Sequence, residues 1–455
     1  MIRVELTQLL EPLQAILVGD NKSISSVTTD SRNIEADGLF IALKGERFDA
    51  HDFAQTAVDN GAVALLVERQ LAVDVPQLIV ADCHKALGQL GALVRQQVNP
   101  KSLALTGSNG KTSVKEMVAT ICSQQHRVLY TAGNFNNDIG VPLTLLRLQP
   151  GDEIGVFELG ANHIGEIDYT SALARPDVAL VNNVASAHLE GFGSEAGVAK
   201  AKSEIFNHLA EDGVAIINAD DQYCDVMLAA AEGHRQLTFG IENHADVQGL
   251  QLQPDAFGRF SFECRAGNDS VQIQLPLAGR HQVSNALAAA AICLAAGFSL
   301  GEIATGLSLL EPVKGRMMPV ELGRVTAVDD SYNGNPASVG AAINWLKEIE
   351  GNRALVLGDL GELGDNASLL HGELGASAKQ AGINQLFCLG ELSRAASEAF
   401  GSAHYTELDA LVSALISHIQ ALPGQVTVLV KGSRSAGMER VVEALKAAFG
   451  RGELS

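Results

Sequence analysis

Short apolar runs separated by polar turns occupy the first 85 residues of the chain. The runs at 38–43, 62–67 and 77–80 predict β-strands, and the stretch at 52–59 predicts a helix between the first two of them. We therefore expect a small N-terminal α/β domain over residues 1–85.

Apolar runs alternate with helical patterns from residue 102 onward, which is typical of the buried strands of a mostly parallel sheet. The runs that predict these strands lie at 103–105, 128–130, 154–159, 178–182 and 214–217. Shorter alternating runs at 247–277 predict antiparallel hairpins beside that sheet, and the Ala-rich stretch at 284–296 predicts a helix. These elements predict a central domain over residues 86–313.

The same alternation of strand and helix returns over residues 314–455, which predicts a third, C-terminal domain. Its predicted strands lie at 325–329, 354–357, 385–389 and 426–430. Strands of this kind with helices between them indicate a Rossmann-like, doubly wound sheet. The expected fold class is therefore α/β, in three domains.

The composition of the 455 residues excludes several classes of protein. A formal charge of −21 argues against general nucleic-acid binding, which normally needs a basic surface. The apolar runs are too short to cross a bilayer, and the N-terminus has no long apolar core of a signal peptide. The six cysteines form no closely spaced pair, so zinc and thioredoxin-like sites are not indicated. A cytoplasmic protein is expected.

A glycine-rich turn at 106–112 reads Thr-Gly-Ser-Asn-Gly-Lys-Thr and lies between a predicted strand and a predicted helix. Backbone N–H groups and the positive end of a helix favour phosphate at such a turn. Lys111 would then reach the outer phosphates, and the Thr112 hydroxyl would bind Mg²⁺. The common phosphate-loop pattern has a glycine where this chain has Leu105. An ordinary strand–helix turn with a surface lysine is the alternative.

The turn resembles the T-G-[ST/N]-x-G-K-[ST] loop of the Mur ligase family, whose short loop accounts for Leu105. This family of ATP-dependent amide-forming enzymes includes the peptidoglycan-precursor ligases and folylpolyglutamate synthetase. Further matches follow in the family's order across almost the whole chain. They lie at 158–162, 165–167, 182–184, 188–190, 201–205, 285, 315–316, 329–336 and 431–434.

Two segments are most similar to the family members that add D-alanyl-D-alanine. The segment 133–142 matches G-N-x-N-N-x-I-G-x-P, and 329–336 matches D-D-S-Y-N-A-N-P except that Gly334 replaces alanine. A sister group adds a single amino acid and usually carries a D-N-P-R-type sequence, which this chain lacks. The Asp-Ser-Arg at 30–32 is shared by both groups, but folylpolyglutamate synthetase lacks that domain.

The resemblance implies that ATP phosphorylates the carboxylate of UDP-N-acetylmuramoyl-tripeptide, and that the amine of D-alanyl-D-alanine attacks the acyl phosphate. The expected partners are these two substrates, with no nucleic acid and no stable membrane insertion, and a monomer is assumed. One alternative is a sister ligase that adds meso-diaminopimelate or L-lysine. A remote alternative is a P-loop ATPase that acts as a regulatory module.

The resemblance also implies which residues bind ATP and two Mg²⁺ ions. The expected ATP-binding residues are Gly107, Ser108, Asn109, Gly110, Lys111, Thr112, Ser113, Asn285, Arg316 and Asp330. The expected metal-site residues are Thr112, Glu158, His188 and Lys202, where Lys202 would be carbamylated. The expected catalytic residues are Lys111, Glu158, His188, Lys202 and Arg316. Taken alone, His188 would suit a structural role, Lys202 a helix flank, and Arg316 an ion pair with Asp330.

The candidate substrate-binding residues come from three places in the chain. For the UDP end they are Ser31, Arg32 and Lys44. For the peptide or sugar they are Asn134, Asn136 and Asn137, although asparagine also suits ordinary turns. For the dipeptide they are Tyr332, Asn333 and Asn335.

Overall fold

The structure, a computed structural model, describes residues 1–45, 48–185 and 189–450. Strands and helices alternate along the chain and build one large sheet in each of three successive parts, which confirms the α/β class. Within the described part, no helix is long and apolar enough to cross a membrane.

The N-terminal part has a five-stranded sheet and a separate two-stranded pair. Its elements are β1 (Val4–Glu5), β2 (Ile16–Val18), β3 (Ser23–Ile24), β4 (Ser26–Thr28), β5 (Gly38–Ile41), α1 (Ala54–Asp59), β6 (Ala64–Val67), β7 (Gln77–Ile79) and α2 (Cys83–Val98). The sheet order is β2-β7-β6-β5-β4, with only β2 antiparallel to its neighbour. The carboxyl ends of β4 and β5 therefore lie side by side.

The middle part is built on a nine-stranded sheet. Its strands are β8 (Lys101–Thr106), β9 (Val128–Tyr130), β10 (Ile154–Glu158), β11 (Val178–Val181), β12 (Val214–Asn218), β13 (Arg235–Gly240), β14 (Val247–Pro254), β15 (Arg259–Ala266) and β16 (Asp269–Ala278). The order is β16-β15-β14-β13-β12-β11-β8-β10-β9, in which the pairs β14–β15 and β15–β16 are antiparallel and the other pairs are parallel. This confirms the predicted parallel sheet with hairpins continuing its edge.

Helices cover both faces of this sheet. They are α3 (Lys111–Cys122), α4 (Gly140–Leu145), α5 (Glu166–Ala174), α6 (Leu189–Phe192), α7 (Glu195–Ser203), α8 (Cys224–Ala230), α9 (Arg280–Ala296) and α10 (Leu300–Ser308). Strand β8 shows why its sequence is apolar throughout. Leu103 and Leu105 pack against α3 and α9, whereas Ala104 packs on the opposite face. A strand buried on both faces has no polar alternation.

The C-terminal part has a six-stranded sheet of order β17-β18-β22-β19-β20-β21. Its strands are β17 (Met318–Leu322), β18 (Val325–Asp330), β19 (Asn352–Gly358), β20 (Gln385–Leu389), β21 (His404–Tyr405) and β22 (Val426–Lys431). Its helices are α11 (Pro336–Glu348), α12 (Ala367–Gln380), α13 (Arg394–Phe400), α14 (Leu408–Ala421) and α15 (Glu439–Phe449). Only β17 is antiparallel to its neighbour.

The middle and C-terminal parts contact each other through two hairpin residues as well as at the cleft described below. The indole N–H of Trp345, on α11, donates to the carbonyl oxygen of Phe257 at 3.3 Å. Gly258 follows with a φ of 70°, and a side chain there would clash with the same indole. The turn between β14 and β15 therefore packs closely on the C-terminal part.

Candidate active site

The glycine-rich turn lies between β8 and α3, as the sequence predicts. Gly110 is the N-cap of α3 with a φ of 79°, and an added Cβ would clash with the side chains of Asn182 and Asn285. Glycine is the residue that adopts this left-handed conformation without strain. Lys111 is the first residue of the helix, and no acidic residue lies in its first turn. A cation at this positive helix end suits a site that binds an anion.

Side chains from the end of β11 hold the turn in place. The backbone N–H of Ser108 donates to the carbonyl oxygen of Asn183 at 2.9 Å, and that of Asn109 donates to Asn183 Oδ1 at 2.8 Å. The amides of Asn182 and Asn183 donate in turn to the Asn109 carbonyl oxygen at 2.9 and 3.0 Å. Asn182 also donates to Asn285 Oδ1 at 3.1 Å, which ties α9 to the turn.

Glu158 is the last residue of β10 and is only 2% exposed. Its Oε1 accepts a hydrogen bond from Asn136 Nδ2 at 2.8 Å, and its backbone N–H donates to Thr131 Oγ1 at 3.0 Å. Its Oε2 is buried without a hydrogen-bond partner among the described residues. A buried carboxylate oxygen without a partner is costly, and a hard cation such as Mg²⁺ would satisfy it.

Two lysines, Lys111 and Lys202, have lowered pKa values. Burial lowers the pKa of Lys111; the nearby Glu158 carboxylate opposes this shift, and Arg316 adds to it. Lys111 Nζ donates to the Gly107 carbonyl oxygen at 2.6 Å. Lys202 is 2% exposed on α7, and its pKa lies well below the usual value because of burial and, second, the charge of Lys111. The Arg316 guanidinium and Lys111 are close enough to interact, and a phosphate bound beside them would stabilise the charged form of Lys111.

His188 lies outside the residues that the structure describes. Among the described residues, no group of three or more histidine, cysteine, aspartate or glutamate side chains is placed to hold a metal ion. An Mg²⁺ site here would therefore combine Glu158 with hydroxyl and phosphate oxygens, which agrees with the few protein ligands that Mg²⁺ takes in nucleotide sites.

Arg316 reaches the glycine-rich turn at residues 106–112, called the phosphate turn below, from the C-terminal part. Its Nη2 donates to Thr112 Oγ1 at 3.2 Å, and its guanidinium lies 4.5 Å from the ring centroid of Tyr332. The guanidinium of Arg434 lies 5.7 Å from the same ring. Asn335 Nδ2 donates to Asn109 Oδ1 at 2.8 Å. The two parts of the chain are therefore already in contact around the turn.

Asp330 pairs with a lysine that the sequence did not single out as a site residue. Its Oδ2 accepts from Lys431 Nζ at 2.6 Å, and its Oδ1 accepts from the Met317 N–H at 3.2 Å. In the described part of the chain no ion pair joins Asp330 to Arg316. The alternative in which those two residues pair is therefore not adopted, and the Arg316 guanidinium faces Thr112 instead.

A cleft of about 820 Å³ lies between the middle and C-terminal parts, within the usual range for small-ligand sites. Most of the predicted ATP-binding, peptide-binding and dipeptide-binding residues line it. They are Ser108, Asn109, Gly110, Lys111, Thr112, Ser113, Asn134, Asn136, Asn137, Glu158, Asn285, Arg316, Asp330, Tyr332, Asn333 and Asn335. Gly107 and Lys202 are not part of the lining.

Hydrogen bonds within the protein already engage several of the candidate asparagines. Asn137 Oδ1 accepts from the Gly140 N–H at 2.8 Å. Asn335 Oδ1 accepts from the Ser338 N–H at 2.9 Å and caps α11. Asn333 Oδ1 accepts from the Arg434 N–H at 3.2 Å. These asparagines therefore fill the turn and cap roles that are common for this residue, in addition to any contact that they make with substrate.

The UDP-site candidates lie apart from this cleft. Ser31, Arg32 and Lys44 follow the carboxyl ends of β4 and β5 and do not line it. The Arg32 side chain is 83% exposed, and its Nη2 lies 2.8 Å from Asp30 Oδ2. Hydrogen bonds from Arg32 lower the pKa of Asp30 to about 2. The Arg32 guanidinium is exposed, and an anionic ligand could bind it in place of Asp30.

Several cleft residues did not stand out as site residues in the sequence. They are His281, Gln282, Lys431, Ser433 and Arg434. Lys431 ends β22 directly opposite Asp330 at the end of β18. Because ligands bind outside the carboxyl ends of parallel strands, its position at a strand end was the available signal.

Models of three Mur ligase domains match this chain. The Mur ligase family catalytic domain matches residues 23–122, the Mur ligase middle domain 105–293, and the Mur ligase glutamate ligase domain 315–434. The chain is also 50% identical to the UDP-N-acetylmuramoyl-tripeptide–D-alanyl-D-alanine ligase of Escherichia coli over 98% of this chain and 99% of that one.

Solved structures show the same architecture. MurF from Acinetobacter baumannii is 39% identical, with a TM-score of 0.93 over 97% of this chain and 98% of that one. The MurF ligase from Thermotoga maritima in complex with ADP is 27% identical, with a TM-score of 0.84 over 94% and 98%. The chain therefore belongs to the Mur ligase family.

Proposed function

We propose that the chain is an ATP-dependent ligase that joins D-alanyl-D-alanine to the carboxylate of UDP-N-acetylmuramoyl-tripeptide. The observation that carries the proposal is the shared cleft, in which the phosphate turn and Glu158 face Arg316 and Lys431 from another part of the chain. The names of relatives that span nearly the whole chain support the same reaction. The cytoplasm stays the predicted location.

Activation of a carboxylate by ATP requires two anions to approach each other. Lys111 bonds to Gly107 and Arg316 bonds to Thr112, so both cations border the turn, and burial weakens the competition of water for Lys111. Fixed positive charges in a partly dehydrated site stabilise a transferring phosphoryl group more than water does. The carboxylate would attack the terminal phosphorus of ATP, which forms the acyl phosphate and releases ADP. The amine of the dipeptide would then attack the carbonyl carbon, lose a proton and displace phosphate.

Glu158 and Thr112 are the described residues that best fit a first Mg²⁺ ion. The unpaired Glu158 Oε2 supplies a buried anionic oxygen, and the Thr112 hydroxyl lies at the second position of α3. When bound, the ion would neutralise charge on the phosphate oxygens. Arg316 Nη2 donates to the same hydroxyl, so its bond would have to adjust when that oxygen binds a metal.

Lys202 has the environment that carbamylation needs. Only the neutral amine reacts with carbon dioxide, and burial together with Lys111 favours the neutral form. The product, a carbamate, would convert this neutral amine into an anion beside Lys111. We propose on this basis, and on the family resemblance, that Lys202 is carbamylated and supports a second Mg²⁺ with His188.

The remaining candidate residues would bind the other parts of the two substrates. Ser31, Arg32 and Lys44 would bind the UDP moiety, because they follow two neighbouring parallel strands. Asn134 and Asn136 would meet the peptide at the cleft edge, beside Glu158. Tyr332 and its neighbours at 333–335 would face the dipeptide.

The test is phosphate release by the purified enzyme with ATP, Mg²⁺ and the UDP-muramoyl-tripeptide. Release is expected on addition of D-alanyl-D-alanine, together with a product whose mass contains the added dipeptide. meso-Diaminopimelate and L-lysine, offered with the UDP-muramoyl-dipeptide, are the matched comparisons and should give none.

Two results would contradict the proposal. Release with a free amino acid but not with the dipeptide would indicate a sister ligase. Steady ATP turnover that needs neither the peptide nor any amine would indicate an ATPase module instead. Mass analysis of the UDP-linked product identifies a sister ligase by the amino acid it has added. Omission of each substrate in turn identifies an ATPase module, whose ATP turnover would continue.

A further inference from the structure

Lys115 is a buried lysine that the proposed chemistry does not use. It lies on α3, one turn beyond Lys111, and is fully buried, but it does not line the cleft. Its Nζ lies 2.9 Å from Glu116 Oε1. Burying an ion pair costs free energy, and an apolar side chain of similar volume is often equally stable or better. Stability alone therefore does not explain a lysine at this position.

Thr131 connects Lys115 to the end of β10. Its carbonyl oxygen accepts from Lys115 Nζ at 2.8 Å, and its own N–H donates to the Val156 carbonyl oxygen at 3.0 Å. Its hydroxyl accepts from the Glu158 N–H at 3.0 Å. Thr131 follows β9 and is itself fully buried, so these bonds are shielded from water.

We propose that Lys115 is a positioning residue for Glu158 and acts through Thr131. The proposal rests on the proposed function, in which Glu158 and Thr112 hold Mg²⁺. Thr112 lies three residues before Lys115 on the same helix, so the Lys115–Thr131–Glu158 connection fixes the spacing between the two metal-site residues. Mg²⁺ demands near-ideal octahedral geometry, so a small shift of one ligand weakens its binding.

The test uses Lys115→Met and Thr131→Val and measures metal binding without turnover. Mn²⁺ replaces Mg²⁺, and its binding in the presence of ADP is followed by electron paramagnetic resonance. Each variant is expected to bind Mn²⁺ about 10-fold more weakly or worse, the usual effect of removing a group that orients a metal ligand. The double variant should bind no more weakly than the weaker single variant, because both substitutions break one connection.

Ser102→Ala is the matched control. Its hydroxyl is also fully buried and donates to the Ala174 carbonyl oxygen at 2.9 Å, but it lies near the amino end of β8, away from the phosphate turn. This variant should keep wild-type Mn²⁺ binding even if its unfolding temperature falls. Lys115→Met should show the reverse, with weakened Mn²⁺ binding and little loss of thermal stability.

Mn²⁺ binding within about twofold of wild type in folded Lys115→Met would overturn the inference. If that variant does not fold, the same result for Thr131→Val would overturn it. If the wild-type enzyme and both variants bind Mn²⁺ and ADP equally well, the role of Lys115 is contradicted but the proposed function is not. A wild-type enzyme that binds no Mn²⁺ with ADP would contradict the proposed function itself.

Discussion

The cleft differs from the segment at residues 30–32, here called the N-terminal turn, in how it holds its candidate site residues. In the cleft, Glu158 is almost completely buried, and hydrogen bonds with Asn136 and Thr131 fix its position. At the N-terminal turn, Arg32 is 83% exposed and its side chain pairs with Asp30, two residues away. The difference indicates a preorganised site for chemistry and an open site for holding the distant end of a substrate.

This contrast has kinetic consequences. Removal of a group that stabilises only the transition state lowers kcat. Removal of a group that binds substrate and transition state equally raises KM and leaves kcat unchanged. Substitutions in the cleft are therefore expected to lower kcat, and substitutions at the N-terminal turn are expected to raise KM for the UDP substrate. The following experiments test that division, beginning with the largest expected effect.

Lys111→Met should lower kcat by about 10²–10³-fold, the usual effect of losing one charged donor to a transition state. Methionine retains much of the side-chain volume, and loss of a lysine whose pKa burial lowers should not reduce stability. Steady-state kinetics measure the first effect and thermal unfolding the second. A kcat within about threefold of wild type would place the chemistry elsewhere.

Lys202→Ala should lower activity by about 10–100-fold, as expected for loss of a group that supports a metal. If the lysine is carbamylated, a short carboxylic acid such as acetate should restore part of the activity, and the same concentration of chloride should not. Lys200→Ala, an exposed lysine on the same helix, is the matched control and should keep full activity. Absence of rescue in a folded variant would contradict the carbamate.

Arg32→Ala should raise KM for the UDP-muramoyl-tripeptide about tenfold, or roughly 1.4 kcal/mol, and leave kcat unchanged. Arg3→Ala removes another exposed arginine that pairs with an aspartate, Asp37, and serves as the control. Equal effects of the two substitutions on KM would show general electrostatics rather than a site. A fall in kcat with Arg32→Ala would break the contrast between turn and cleft.

The pH dependence of stability gives the smallest expected effect. Because the pKa of Lys202 is lowered on folding, the unfolded chain binds more protons than the folded one between the folded pKa and about 10.4. The free energy of unfolding should therefore rise with pH in this window, by at most about 1.4 kcal/mol per pH unit from this residue. Denaturant titrations in carbon dioxide-free buffer should show a shallower rise for Lys202→Met than for Lys200→Met.

The sequence predicted the long buried strands well because they are apolar along their whole length. Gln385–Leu389 was predicted with its observed bounds, and the helix after the phosphate turn was predicted to begin near Lys111, where α3 begins. The short strands β1 to β4 were not predicted; β1, β3 and β4 mix apolar and polar residues within two or three positions. Strand β17 was also missed; it contains Pro319 and lies at a sheet edge, where proline is tolerated.

The site was less accessible to prediction wherever it depends on distant pairing. Local sequence and family resemblance led to Lys111, Glu158 and Asp330. The partner of Asp330, Lys431, lies 101 residues away and becomes its neighbour only through strand register. Lys115 resembles an ordinary charged residue of an amphipathic helix, and only the packing around α3 shows that it is buried.

Trp345 gives the enzyme an intrinsic optical reporter. It is the only tryptophan in the sequence, and its indole N–H donates to Phe257 across the contact between the middle and C-terminal parts. Separation of those parts would expose an indole that is only 9% exposed here, and its emission would shift to longer wavelength. Opening and closing around nucleotide can therefore be followed in the unmodified protein by fluorescence, without a label and without a second tryptophan to confuse the signal.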